Sequence, residues 1–184
     1  MGNKGCVAYS FILRDRAFNF IACHLKHGQE NEEKRNKEAS QILKELKFSN
    51  PTYKGLECDS NADFTFFFGD LNYRTNSTFD ELDKDIKESM NPKLDQLHLA
   101  MKSGHYPEYR EMEKSWLPTY KLHFKEPHVY LNKKDQSQSY TDRILYKQNS
   151  CDEVIPLSYE AYHDVMGSDH RPVCLTLLAN LPRY

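Results

Sequence analysis

No apolar run in this 184-residue chain approaches the ~20 residues that a membrane-crossing helix needs. Basic residues are not in excess. The 25 Lys and Arg stand against 27 Asp and Glu, for a net charge of −2. No positive field exists to follow a nucleic-acid backbone, so a nucleic-acid partner is not expected. The N-terminus lacks the basic-then-apolar pattern of a secretory leader. Five cysteines, Cys6, Cys23, Cys58, Cys151 and Cys174, are odd in number and scattered, and three lie in apolar strand-like runs. They read as reduced thiols, with no disulfide frame, no Cys-based metal site and a cytoplasmic setting. No cysteine begins a Cys-x5-Arg loop, which excludes cysteine-phosphatase chemistry. Repeats and linkers are absent too, and the length suits one globular unit with its own core.

What is present centres on FFFGDLNYR, residues 66–74. A buried strand here ends in Gly69 and delivers Asp70, Asn72 and Arg74 at alternate positions, hence on one face. A carboxylate to take a proton, an amide to hold water or an oxyanion and a guanidinium to balance charge suit phosphate chemistry. A strand running into a polar turn is the plainer alternative. Near the C-terminus GSDHRPV, residues 167–173, sets Asp169 and His170 before an apolar strand. Histidine titrates near neutrality, so this pair suits acid–base work or phosphate binding. Between them lie PTYK (118–121) and YTDRILYK (140–147). Upstream are GNKGCV (2–7) and ACHLKHG (22–28), followed by Lys34-Arg35-Asn36.

The hydrophobic pattern predicts an α/β fold. Cys6–Leu13 and Ala17–Cys23 read as a hairpin, Glu30–Lys47 as a helix ended by Ser49-Asn50-Pro51, and Phe64–Phe68 as a buried strand. Residues 51–62 read as a polar loop. Phe79, Leu82 and Ile86 suggest a second helix. Asn91-Pro92 reads as cap and first turn of a third, which Gly104 stops. Residues 105–120 read as irregular and aromatic. Ile144–Tyr146, Val154–Leu157 and Pro172–Leu178 complete the strands. Charges from Glu30 to Lys37, Arg35 apart, read as a solvated helix face.

In order and spacing, GDLNYR, PTYK, DRIL and SDHRPV resemble the catalytic domain of the inositol polyphosphate 5-phosphatases, from Gly2 to about Leu178. The resemblance implies a DNase I-like two-sheet α/β sandwich. It also implies Mg²⁺-dependent hydrolysis of the 5-phosphate of phosphatidylinositol 4,5-bisphosphate and related inositol phosphates, by in-line attack of water. Partners would be a phosphoinositide lipid, reached by peripheral membrane contact, or a soluble inositol polyphosphate. By the same resemblance Asp70 is the base, Asn72 helps hold the water, His170 and His24 stand on the phosphate side, and Asp169 orients the site and ligates metal. Tyr120, Lys121, Lys134, Arg74, Asn3 and Lys4 would meet the substrate. Arg143 would either hold the phosphate loops or form a structural ion pair. Tyr120 alternatively packs in its loop, Asn3 and Lys4 alternatively form a Gly-flanked turn, and Arg35 is a weaker pocket candidate. Trp116-Leu117 would touch lipid or join the core.

Two departures qualify the match. The family's domain begins well before GNKG, in a segment carrying a metal-binding Glu. The resemblance therefore implies a single domain over 1–184 that is a C-terminal portion, leaving a non-catalytic remnant as an alternative and a nuclease of the same fold as another. In KDQSQSY the family's basic and aromatic pattern keeps Lys134 but has Gln136 for Arg, Gln138 for Pro and Tyr140 for Trp. Gln136 offers no charge-assisted fork, which weakens the implied preference for a 4-phosphate.

Overall fold

The computed structural model describes residues 3–48, 62–132, 136–149 and 154–181. Strands β1 (Gly5–Leu13) and β2 (Arg16–His24) form the expected antiparallel hairpin. Its turn residues Arg14 and Asp15 both have positive φ, 49° and 58°, a type I′ turn that matches strand twist. A 3-10 turn (Gln29–Asn31) leads into helix α1 (Glu32–Glu45). Strand β3 (Phe64–Asp70) pairs parallel with β2 and antiparallel with β4 (Asp142–Gln148). The four-stranded order is β1-β2-β3-β4, and β5 (Val154–Ala161) with β6 (Val173–Ala179) makes a separate two-stranded sheet.

Phe64-Thr65-Phe66-Phe67-Phe68 shows why β3 is central. Odd and even residues alternate faces, and both faces are covered. Phe64 and Phe66 pack with Phe18, Tyr146 and Val154 toward β5–β6. Phe67 packs with Ile21, Leu25, Ala39 and Leu97 on the helical side. Tyr140, Trp116 and Tyr159 form a third cluster, so Trp116 belongs to the core and not to a lipid-facing loop.

Several elements differ from expectation. Glu30, Glu33, Lys34 and Lys37 are exposed, as a solvated helix face requires, whereas Arg35 is wholly buried. The Arg35 guanidinium donates to the carbonyls of Lys26 (3.0 Å) and Gly28 (2.6 Å) and to Gln96 Oε1 (2.5 Å). It ties down the loop after β2 rather than lining a pocket. Helix α1 gives way to extended backbone at Leu46; Ser49-Asn50-Pro51 and most of the 51–62 loop lie outside the described residues. Helix α2 (Phe79–Lys84) stops at Asp85, whose carboxylate starts a new 3-10 turn (Ile86–Met90). Helix α3 (Gln96–Lys102) is capped by Asp95, which accepts from the Leu97 and His98 amides. Asn91 is not that cap. Its side chain accepts from the Lys93 amide in a local Asx turn upstream.

Candidate active site

Register builds the site. His24, Asp70 and Asp142 are successive partners across β2, β3 and β4. Cross-strand partners share a face, so all three side chains meet at one end of the sheet. Asp70 Oδ2 lies 3.3 Å from His24 Nε2, and Asp70 Oδ1 accepts from the Asn72 amide at 3.1 Å. Lys4 Nζ contacts His24 Nε2 from the residue just before β1.

His170 enters from the loop before β6. Its Nδ1 lies 3.1 and 3.0 Å from the two oxygens of Asp142. Thr119 (2.8 Å) and Thr141 (3.0 Å) also donate to Asp142 Oδ2. The carboxylate is thus fixed from three sides. Tyr120 packs its ring 4.5 Å from the His170 ring, and the Arg74 guanidinium lies 4.8 Å from the Tyr120 centroid. Lys121 Nζ donates to Asp169 Oδ2 at 2.6 Å.

The electrostatics follow from this crowding. Burial pushes the Asp70 carboxyl above its ordinary range, and Asp142 adds to the rise; His170, His24 and Lys4 oppose it. Burial alone would lower the His170 pKa. The hydrogen bond and charge of Asp142, with Asp70 and Asp169, outweigh it and raise the pKa overall. Asp70, Asp142 and His170 each offer a ligand atom, all within 4.8 Å of one another. Two carboxylates forced together in a half-buried site form a natural seat for a hard cation, which would relieve their repulsion.

The expected residues thus fall into groups. His24, Asp70, His170, Lys4 and Tyr120 come together. Asn72 is adjacent, with a left-handed φ of 57°. Its amide donates to the Leu25 carbonyl at 3.1 Å, and its Oδ1 accepts from Arg74 at 2.7 Å. Asn72 and buried Arg74 therefore brace the strand end. Asp169 pairs with Lys121 and lies outside the group Asp70, Asp142 and His170 whose ligand atoms are within 4.8 Å of one another. Arg143 is not at the site. It follows Asp142 by one residue, so its side chain points to the opposite face. There it bonds Asp95 (2.9 and 2.8 Å) and Glu111 (2.6 and 2.5 Å) while fully buried. Asn3 is exposed just before β1. Gln136 accepts from the Tyr120 hydroxyl at 3.4 Å, and Lys134 lies outside the described residues. Sequence reasoning passed over Asp142 and Thr119. The available signal was an acidic residue leading a buried strand.

Residues 1–176 match the model of endonuclease/exonuclease/phosphatase family 2, and the chain belongs to that family. Its similar relatives are inositol polyphosphate 5-phosphatases. The Danio rerio phosphatidylinositol 3,4,5-trisphosphate 5-phosphatase 2A is 32% identical over 191 residues, covering 94% of this chain and 14% of that protein. The Schizosaccharomyces pombe inositol-1,4,5-trisphosphate 5-phosphatase 1 is 33% identical over 184 residues, covering 98% and 16%. Among solved structures, the inositol polyphosphate 5-phosphatase domain of SPsynaptojanin, in complex with inositol (1,4)-bisphosphate and calcium ion, superposes with a TM-score of 0.80. It shares 31% identity, over 98% of this chain and 53% of that one. The fold is accordingly the DNase I-like α/β arrangement. The chain spans about half of that solved chain and a far smaller share of the curated relatives.

Proposed function

We propose that this chain carries the Asp70–His170 side of an inositol polyphosphate 5-phosphatase site, acting with Mg²⁺ on the 5-phosphate of phosphatidylinositol 4,5-bisphosphate and related inositol phosphates. The observation that supports it most is the cross-strand row His24–Asp70–Asp142 with His170 closing over it. The solved relative points the same way, because inositol (1,4)-bisphosphate is what remains when a 1,4,5-trisphosphate loses its 5-phosphate.

Asp70, whose pKa burial raises above the ordinary carboxylate range, takes a proton from the attacking water. His170, whose pKa Asp142 raises against the lowering effect of burial, lies beside the phosphoryl oxygens and offsets their charge. Lys4 adds positive charge on the other flank, beside His24. Tyr120 and Lys121 meet a ring phosphate, with Lys134 a further candidate. A Mg²⁺ ion bound at the site would supply polarisation of the phosphoryl group, with Asp169 the ligand that the family resemblance implies. No helix among the described residues is long and apolar enough to cross a membrane. On this reading a lipid substrate is met by peripheral contact in a cytoplasmic setting.

The test is Mg²⁺-dependent phosphate release from inositol 1,4,5-trisphosphate and from phosphatidylinositol 4,5-bisphosphate vesicles, with duplex DNA as control. Asp70→Asn should slow release by about 10²–10⁴-fold with an unchanged circular dichroism spectrum. Near-full activity in Asp70→Asn would remove the assigned role, and DNA cleavage would favour a nuclease.

A further inference from the structure

The hairpin that delivers His24 also sets two cysteines directly opposite one another: Cys6 on β1 pairs with Cys23 on β2. The type I′ turn at Arg14-Asp15 makes Leu13–Arg16 the closing hydrogen-bonded pair. Hydrogen-bonded and non-hydrogen-bonded pairs then alternate along the ladder. Seven steps from Leu13, Cys6–Cys23 falls on a non-hydrogen-bonded pair. Such pairs bring Cα atoms to about 4.5 Å, with side chains at their closest. That separation lies inside the range of about 4.4–6.8 Å spanned by disulfides. Both thiols share the helical face of the sheet, where Cys6 packs against the cluster containing Cys23. Both are reduced in this structure. Cys23 is buried, whereas Cys6 is half-buried on an edge strand and reachable from solvent.

We propose that Cys6 and Cys23 are an oxidation site that closes to a cross-strand disulfide, with a peroxide as oxidant. The Cys6 sulfur attacks one peroxide oxygen, the O–O bond breaks, and Cys6 becomes a sulfenic acid as one water leaves. The Cys23 sulfur then displaces the hydroxyl from Cys6. Its proton leaves with that hydroxyl as a second water, and the S–S bond forms. Two thiols and one hydrogen peroxide thus give one disulfide and two waters. Cys23 directly precedes His24, and its carbonyl lies 2.3 Å from where a Cβ on Gly69 would sit. The bond would therefore tie β1 to the end of β2 that carries His24.

The site is tested on the intact chain, independently of any phosphatase assay. Folded protein is treated with hydrogen peroxide, remaining thiols are alkylated in denaturant, and peptides are mapped by mass spectrometry. The expected product joins the Cys6 and Cys23 peptides with loss of two hydrogens. Cys58, Cys151 and Cys174 stay alkylated, and dithiothreitol reverses the link. Oxidation should raise the Tm of the wild-type chain and leave that of Cys6→Ala unchanged. Alkylation of both Cys6 and Cys23 after peroxide, a stable sulfenic acid on Cys6, or a link from Cys6 to any other cysteine would overturn the assignment.

Discussion

Asp142 receives hydrogen bonds from Thr119 and Thr141 and faces His170 with both oxygens, and this fixes what the imidazole can do. The raised His170 pKa has a definite sign in stability. Its contribution is full below the unfolded value of about 6.5 and is lost as pH rises through the folded value. Asp142→Asn removes the charge and should lower the His170 pKa, readable by NMR titration. It should also slow phosphate release by roughly 10²–10⁴-fold. An unmoved His170 titration would show that Asp142 does not set it. The motifs made Asp70, His24 and His170 legible because each ends a strand or leads into one. Asp142 was not, since its place depends on register between β3 and β4, which sequence alone does not fix. The same register settles the alternative left open for Arg143 in favour of a structural ion pair.

At the level of elements, one carboxylate joins helix to sheet. Asp95 caps α3 and pairs with Arg143 on β4 and with Lys114 at 3.0 Å. Burial alone would raise its pKa, but Arg143 and Lys114 outweigh this and hold the carboxyl well below the usual range. Its stabilisation is present above the unfolded pKa of about 3.9 and fades only as pH falls toward the depressed folded value. Asp95→Asn should therefore cost about 3–5 kcal/mol at pH 7, by urea denaturation, and shift acid unfolding to higher pH. Gly69→Ala tests the other junction. Its φ is 120° and a Cβ would meet the Cys23 carbonyl at 2.3 Å, so backbone must move. A loss of about 1–3 kcal/mol is expected, visible as a lower urea midpoint. Strands and helices were legible from apolar period, but their ends were not. Asn91-Pro92 had the right chemistry for a cap, yet tertiary pairing of Asp95 with Arg143 chose the start of α3.

Across the whole molecule, the four-stranded sheet is covered unequally on its two faces. On the helical face Phe67 is fully enclosed among Ile21, Leu71, Tyr106 and Leu145. On the other face, β5–β6 leaves a groove of about 340 Å³ lined by Phe11, Phe18, Phe20, Phe66, Phe68 and Leu175. Beyond it Val7 and Tyr9 on β1 are 76% and 66% exposed. The alternating pattern foretold two apolar faces on β3 but carried no information about how completely each is roofed, because cover comes from elements distant in sequence. This asymmetry has an energetic consequence. Truncating an enclosed ring loses its transfer free energy and leaves a cavity that neighbours fill only in part, about 3–5 kcal/mol for Phe→Ala. A ring beside an existing groove leaves no new closed void, and nearby rings can settle into the space. Phe67→Ala should therefore destabilise by about 3–5 kcal/mol and Phe66→Ala by clearly less, although both rings sit on the same central strand. Equilibrium urea denaturation of the two variants decides it, and equal losses would mean that the groove is as tightly packed as the helical core.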